Sequence, residues 1–204
     1  MRDSIKFDLD EIRTRYRQER LGVREIAVRL GVSPWRVYRL MRQSNLPRRH
    51  GAEQNDATYK HKPQFVVKSC LSPAEEQLRI AGAMLYWAEG TKTGKTVNVA
   101  NSDPKLIALF VTFLRKICGV AEERWQVLLY AYVDQEIERL KACWSQLTGI
   151  PLQQFTKPYI RAITPNVTGR KMAQGLVHIR YSDSRLLQVI LQWTEECSQF
   201  WAGT

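Results

Sequence analysis

The chain has 204 residues, 44% of them hydrophobic, and 31 lysines and arginines against 20 aspartates and glutamates, a formal net charge of +11. This length suits one small and one medium domain, and no stretch is long and apolar enough to span a membrane. Residues 1–70 hold 16 basic and 8 acidic residues, whereas residues 71–204 hold 15 and 12. Such a distribution is typical of a small basic module that attracts phosphate, joined to a nearly balanced packed domain.

The cysteines and the amino terminus bear on the cellular compartment. Cys70, Cys118, Cys143 and Cys197 are widely spaced and form no CxxC pair, which disfavours zinc ribbons and redox motifs. The first residues are charged and lack the apolar core of a signal peptide. The sequence therefore predicts reduced, mostly buried thiols in a cytoplasmic protein.

Residues 8–46 have the pattern of three short helices. Apolar residues recur at helical spacing, which predicts one inward face on each helix. These positions are Leu9, Ile12 and Tyr16 within residues 8–20, then Ile26, Ala27 and Leu30, then Val37, Leu40 and Met41. We therefore expect an N-terminal three-helix domain over residues 1–46.

The junction between the second and third helices has the residue types of a tight turn. Gly31 supplies the backbone freedom that a residue with a Cβ would resist. Ser33 is a good N-cap and Pro34 a good first helical residue. This combination predicts a helix-turn-helix whose last helix has an outward basic face.

That outward face predicts contact with double-stranded DNA. In a helix-turn-helix the second helix of the motif lies in the major groove, so we expect Arg36 and Arg39 to read base edges. The other DNA contacts expected from this motif are Ser33, Trp35 and Arg42. The alternative is an ordinary helical hairpin with a solvated basic face.

Residues 47–68 are polar and lack apolar periodicity, which predicts a basic linker. Arg48 and Arg49 directly follow Pro47, next to the third helix. Basic arms in this position can enter an adjacent minor groove, so we count both arginines as candidate DNA contacts. A charged linker that is merely solvated is the alternative.

Residues 69–204 predict a second domain of mixed helices and about four strands, so the chain as a whole is expected to be α+β. Its first helix begins with a capping box of Ser72, Pro73 and Glu75 and ends at Gly90. The later predicted elements are a strand over 95–101, a helix from Pro104, a strand over 126–133, a helix over 135–147, strands over 154–163 and 176–181, and a helix from Ser184 to about Phe200.

Two of these strands place basic and aromatic side chains on one face by alternation. A sheet facing a DNA groove would use such side chains, although an ordinary solvated sheet face would look similar. The basic residues of these faces are Lys157, Arg161, His178 and Arg180, and Phe155 and Tyr159 are expected beside the first two.

The segment GAMLYWAEGTK, residues 82–92, places Glu89 at the end of an apolar helix. A carboxylate there faces the negative end of the helix dipole, so a cation beside it is physically reasonable. That cation would be a metal ion or a basic side chain such as Lys92 or Lys95. In the simpler alternative, Glu89 is a structural carboxylate paired with a nearby lysine.

Residues 82–90, Gly-Ala-Met-Leu-Tyr-Trp-Ala-Glu-Gly, resemble the nine-residue signature of the LAGLIDADG homing-endonuclease-like family, and the likeness extends over roughly residues 72–198. It implies a curved sheet lying in the DNA major groove. It also implies a homodimer through the helix over 75–89, with Glu89 of each subunit binding Mg²⁺ over the scissile phosphates. Lys92 or Lys95 would then offset charge developing on the phosphate.

The sequence departs from the family pattern in three places. Met84 replaces the signature glycine, and its size hampers the close helix approach that small residues permit. The strand hairpin expected after the signature is shortened to residues 95–101. The helix over 135–147 separates strands that the family usually joins by a turn.

These features favour a site-specific double-stranded DNA-binding protein of the homing-endonuclease-like type, in a bacterial cytoplasm or nucleoid. Whether it is an enzyme stays open. In one version the second domain is an endonuclease that requires Mg²⁺. In the other it is a non-catalytic clamp or dimerisation unit of a transcription regulator. A remoter alternative, an accessory protein of a recombinase, rests only on the similarity of the helix-turn-helix to those of resolvases and invertases.

Overall fold

The computed structural model describes residues 9–51, 53, 57, 64–162 and 172–202. The chain divides into two compact units, Met1–Pro63 and Gln64–Thr204. Among the described residues it has seven α-helices and one four-stranded sheet, which confirms the mixed α and β composition and the number of strands. None of the described helices combines the length and apolar character needed to cross a bilayer.

The first unit contains helices α1 (Leu9–Arg17), α2 (Val23–Arg29) and α3 (Pro34–Gln43). Their inward faces form one small core, because the apolar residues recur at helical spacing. It consists of Ile12, Tyr16, Leu21, Ile26, Ala27, Val37, Met41 and Leu46, with Leu30 and Leu40 partly buried against it. Leu9, also expected to lie inward, is instead 41% exposed, because it is the first residue of α1 and lies beyond this core.

The turn between α2 and α3 has the predicted geometry. Gly31 has a φ of +64°, in the left-handed region that a residue with a Cβ resists. The Ser33 hydroxyl accepts a hydrogen bond from the backbone N–H of Arg36 at 3.3 Å, and Pro34 is the first helical residue. The cap and the proline therefore fix where α3 begins.

Both ends of the predicted linker belong to folded units rather than to a free connection. At its start, Arg49 is 9% exposed. At its end, the backbone N–H groups of Val66 and Lys68 donate to the carbonyls of Gly119 and Ile117, at 3.1 and 2.9 Å. The polar composition of residues 47–68 predicted a linker, because hydrogen bonds made by the backbone leave no pattern in the sequence. Residues 52, 54–56 and 58–63 of the expected linker lie outside the described part of the chain.

The second unit alternates helices with strands. Its elements are helix α4 (Pro73–Glu89), strand β1 (Val97–Asn101), helix α5 (Pro104–Lys116), strand β2 (Trp125–Tyr132), helix α6 (Ile137–Thr148), strand β3 (Tyr159–Arg161), strand β4 (Leu176–Tyr181) and helix α7 (Ser184–Ala202). The predicted capping box at the start of α4 is confirmed, since Ser72 and Glu75 each accept a hydrogen bond from the other's backbone N–H.

The sheet has the strand order β1-β4-β2-β3. Strand β4 pairs antiparallel with both β1 and β2, whereas β2 and β3 are parallel. Helix α6 supplies the crossover that parallel neighbours require, because it returns the chain to the end of the sheet where β2 began. The helix that separates these strands in the sequence thus produces a parallel pair instead of a hairpin.

One face of the sheet packs into the core of the second unit. Every second strand residue is buried there, in keeping with the two-residue period of a strand. These residues are Val97, Val99, Trp125, Val127, Leu129, Ala131, Val177, Ile179 and Tyr181, and the same cluster includes apolar residues of α4 to α7. The residues between them are half-buried or exposed and make up the opposite face, here called the open face.

Strand β3 is much shorter than the predicted strand over 154–163, whose last residue lies outside the described part. A single bridge pairs Phe155 with Val127, and the next pair is Tyr159 with Tyr130. Three residues along β2 therefore match four residues along the segment that leads to β3. This extra residue reverses the alternation of side chains, so the prediction that Phe155 and Tyr159 share one face of the sheet is wrong. Phe155 packs against the core, whereas Tyr159 lies opposite Tyr130 on the open face.

Candidate nucleic-acid interface

The outward surface of α3 consists of Trp35, Arg36, Arg39 and Arg42, here called the α3 outer face. Successive helical residues are rotated by about 100°, so Trp35, Arg39 and Arg42 lie on one stripe and Arg36 lies beside it. All four residues are exposed, and the Trp35 side chain is 67% exposed. Since Val37 and Met41 fill the core on the opposite side, this surface is fixed by the packing of the helix.

Two arginines lie over aromatic rings at this surface. The Arg39 guanidinium carbon is 5.5 Å from the centre of the Trp35 ring. The corresponding distance from Arg48 to Tyr38 is 4.8 Å. An exposed contact of this kind contributes about 0.5–1 kcal/mol, and it restricts the arginine to a smaller set of positions. Sequence reasoning missed Tyr38, although its place between the inward Val37 and the outward Arg39 could have identified it.

The electrostatics of α3 favour an anionic partner. The helix contains Arg36, Arg39 and Arg42 and no aspartate or glutamate. Its N-terminus also carries the positive end of the helix dipole. Ser33 is exposed there, but its oxygen already accepts the capping hydrogen bond from Arg36, so only its hydroxyl hydrogen remains to donate to a phosphate.

Arg49 does not lie on an arm that could reach DNA. Its two terminal nitrogens donate to the carbonyl oxygens of Tyr16 and Leu21, and its backbone N–H donates to the Tyr16 hydroxyl at 2.7 Å. Its guanidinium carbon lies 4.1 Å from the centre of the Tyr16 ring. The residue connects the segment after α3 to α1, which corrects its assignment as a DNA contact. Arg48 is exposed, as predicted.

The open face of the second unit brings together three of the four predicted basic residues. His178 and Arg180 lie half-buried on β4, and Arg161 is exposed at the end of β3. Lys157 is exposed in the irregular segment before β3, so the structure does not place it on the sheet.

An aromatic cluster occupies the centre of the open face. The ring of Tyr130 lies 4.9 Å from that of Tyr159 and 4.7 Å from the imidazole of His178, measured between ring centres. Tyr159 and His178 were expected on this face from the sequence, whereas Tyr130 and Tyr132 were not. The alternation in Trp125–Tyr132 would have identified both, since every second residue of β2 is buried.

His178 has an environment that favours an uncharged ring. Burial, followed by the positive charge of Arg180, lowers the pKa of His178 below its usual 6.5. Its Nδ1 lies 3.3 Å from the Oδ1 of Asn98, which is a hydrogen-bond acceptor. Nδ1 therefore carries the hydrogen and donates, and the neutral imidazole acts as one more aromatic ring near neutral pH.

Glu89 lies within the signature-like segment and Lys92 and Lys95 follow it, and all three residues are exposed. Among the described residues, neither lysine forms an ion pair with Glu89, so the structure does not show the pair that the simpler alternative implied. The described residues also hold no group of three or more His, Cys, Asp or Glu side chains that could bind a metal ion. Glu89 of one chain therefore offers a single carboxylate.

Helix α4 uses its glycine for packing inside the chain. Gly82 lies against the ring of Phe113 on α5, and a Cβ at this position would be 2.1 Å from that ring. Tyr86 of α4 stacks on Phe110 of α5, with ring centres 6.1 Å apart. The other side of α4 is an apolar strip, here called the α4 strip, made of the exposed Ile80, Ala81, Trp87 and Ala88 and the half-buried Met84.

Comparison with known proteins gives no relative from which a function could be transferred. No protein-family model, no curated protein and no solved structure matches this chain.

Proposed function

We propose that the protein binds double-stranded DNA in a sequence-dependent manner, with α3 lying in the major groove. The α3 outer face carries this proposal, because it exposes three arginines and a tryptophan on a helix fixed by its buried side. Trp35 is among the most exposed large apolar residues of the chain. An exposed aromatic residue beside arginines is expected at a binding surface rather than on a merely solvated helix.

The dimensions of the α3 outer face suit a groove. From Trp35 to Arg42 the helix rises about 10 Å, which is the length of about three base pairs. Arg36 and Arg39 lie within the first half of the helix, where base contacts are expected, whereas Arg42 and Arg48 are suited to phosphates. Arginine favours guanine because its two parallel N–H groups match the N7 and O6 acceptors.

Selection of a binding site from a random duplex library, followed by titration of the Arg39→Ala variant, tests this proposal. We expect the variant to lose about 5- to 100-fold in affinity and to lose selectivity at one base position. Arg13→Ala is the matched control, since it removes the same charge from an exposed side chain on α1. An equal loss in both variants on every sequence would show that only net charge matters.

We further propose that the second unit resembles the homing-endonuclease-like domains and forms a homodimer through α4. The α4 strip supports this, because it exposes Ile80 and Trp87 along one side of the helix, with the half-buried Met84 between them. Met84 takes the place of the signature glycine, so two copies would pack less closely than small residues allow. Measurement of the molecular mass in solution tests this contact. We expect the mass of a dimer for the wild type and that of a monomer for Trp87→Glu.

Cleavage of DNA is the second candidate function, and Glu89 with Lys92 and Lys95 is the observation that favours it. Mg²⁺ needs about six oxygen ligands, of which waters and a substrate phosphate supply several. Proteins hold Mg²⁺ at such sites with one or two carboxylates, and the described residues of one chain offer Glu89 without a second carboxylate grouped beside it. The Glu89 of a second copy would supply the second carboxylate.

Incubation of a duplex library with Mg²⁺ separates the enzyme from the transcription regulator. Cleavage that is lost in Glu89→Gln, while DNA affinity is retained, would establish the endonuclease. Tight binding without cleavage would establish a non-catalytic clamp, the function in which the second unit contributes only dimerisation and DNA contacts. In either case we propose a bacterial cytoplasmic protein that acts at the nucleoid.

A further inference from the structure

We propose that the open face of the sheet is a second nucleic-acid site, which stacks unpaired bases of a single strand. Its central residues are Tyr130, Tyr132, Tyr159 and His178, here called the aromatic platform. This surface belongs to the second unit and does not depend on the proposed binding of duplex DNA by α3.

The rings of the aromatic platform are partly available to a ligand. Tyr130 lies in the centre, within 5 Å of both Tyr159 and His178. Tyr159 is 56% exposed, whereas a tyrosine used for packing would be largely buried. None of these rings belongs to the hydrophobic core of the unit, because the strand residues of that core lie on the opposite face of the sheet. A contiguous, partly exposed aromatic surface of this kind is typical of a binding site.

A cavity beside the rings has room for a base. Its volume is about 350 Å³, and its lining includes Tyr130, Tyr132, Tyr159, Arg161 and Leu176. This volume lies at the lower end of the range of about 300–1,000 Å³ that is usual for small-ligand sites. The combination of aromatic walls with one arginine suits a planar group that is linked to a phosphate.

The charges of the open face complement a nucleic-acid backbone. The four strands contain no aspartate or glutamate, whereas Arg161 and Arg180 lie at either side of the aromatic residues. Lys157 is exposed in the segment that leads to β3. His178 is uncharged near neutral pH, so the centre of the surface is aromatic and the positive charge lies at its edges. Stacking rings flanked by arginines are the usual components of single-strand recognition.

The same arrangement suits a duplex poorly. In a duplex the bases are stacked on each other and present only their edges to a protein. Recognition of edges needs donors and acceptors that project into the groove, whereas the open face presents aromatic rings at its centre, with the tyrosine hydroxyls at their tips and the Nδ1 of His178 bonded to Asn98. Unpaired bases expose their faces, to which these rings can bind.

Fluorescence anisotropy with the full chain tests this proposal. The probes are a labelled oligothymidylate and a labelled oligouridylate of about 15 nucleotides, the upper end of the usual length of such sites. We expect Tyr159→Ala to weaken binding of at least one probe by about 5- to 100-fold. Tyr159→Phe keeps the ring and should bind within a factor of about two of the wild type. The two probes distinguish DNA from RNA as the source of the unpaired bases.

Arg39→Ala and a labelled duplex separate this surface from α3. Binding of the single strand should withstand Arg39→Ala, and binding of the duplex should withstand Tyr159→Ala. Absence of single-strand binding in the wild type would overturn the proposal. So would an equal loss in the Phe and Ala variants, because the hydroxyl rather than the ring would then be responsible. Loss of single-strand binding in Arg39→Ala alone would also overturn it. Far-ultraviolet circular dichroism verifies that each variant is folded.

Discussion

Replacement of Gly82 by alanine tests whether the signature-like segment packs within the chain. An added Cβ would lie 2.1 Å from Cγ and 2.3 Å from Cδ2 of the Phe113 ring, whereas ordinary van der Waals contact begins near 3.4 Å. Either α4 or the ring must therefore move by more than 1 Å. Phe113 is fully buried between Phe110 and Trp193, whose ring centres are 6.3 and 6.0 Å away, so it has no room to move.

The expected loss of stability follows from two opposing contributions. Overpacking a rigid core costs about 1–3 kcal/mol and occasionally more. Alanine favours a helix interior over glycine by about 1 kcal/mol, which offsets part of that cost. Because the added Cβ would clash with a fully buried ring, the upper end of the overpacking cost applies, and we expect Gly82→Ala to lower the free energy of unfolding by about 2 kcal/mol. This corresponds to a decrease of roughly 4–8 °C in the melting temperature of a chain of this size.

Thermal and urea denaturation measure this effect, with Ala88→Gly as the matched control. Ala88 lies on the α4 strip and is exposed, so its replacement should cost only the helix-propensity difference of about 1 kcal/mol. Gly82→Ala combined with Phe113→Leu should recover part of the loss, because the smaller side chain makes room for the methyl group. An increase in stability for Gly82→Ala alone would refute the packing of α4 against α5.

Three further changes test the electrostatics. We expect Arg49→Ala to destabilise the first unit by about 2–3 kcal/mol, measured by denaturation, because two buried carbonyls lose a charged donor. Lys68 and the Ser72 cap lower the pKa of Glu75 to about 2, so its contribution to stability is present above about pH 4.5 and is lost as the pH falls towards 2. Glu75→Gln should therefore flatten the dependence of stability on pH in that range. Burial and Arg180 lower the pKa of His178, so the unfolded state binds its proton first and stability should decrease as the pH falls below about 6.5. In His178→Gln this decrease should be absent from a series of melts at different pH, whereas a profile identical to that of the wild type would contradict the assignment.

Most of the elements could be predicted because local signals specify them. Caps followed by prolines at Ser33 and Ser72 mark two helix starts, and both side chains accept the expected hydrogen bonds. Periodicity of two residues correctly identified the buried side of β4. These features depend on a few neighbouring residues, so a single sequence contains enough information to find them.

The errors concern contacts between distant parts of the chain. Arg49 was expected to be free because its neighbours are polar, but its partners Tyr16 and Leu21 lie about thirty residues earlier. The predicted face of Phe155 was wrong because one unmatched residue lies between its bridge to Val127 and the pair of Tyr159 with Tyr130. Both outcomes depend on tertiary pairing, for which local polarity and alternation give no signal.

The backbone pairing of Val66 and Lys68 with Gly119 and Ile117 determines where the chain can be cut. A fragment that starts at Ser69 would leave the carbonyls of Gly119 and Ile117 without their donors and would uncover Phe65, which packs against the core. A fragment starting at Gln64 retains all of these contacts. Dissection of the protein into its halves, and any exchange of its amino-terminal half for another, should therefore use the junction at Pro63.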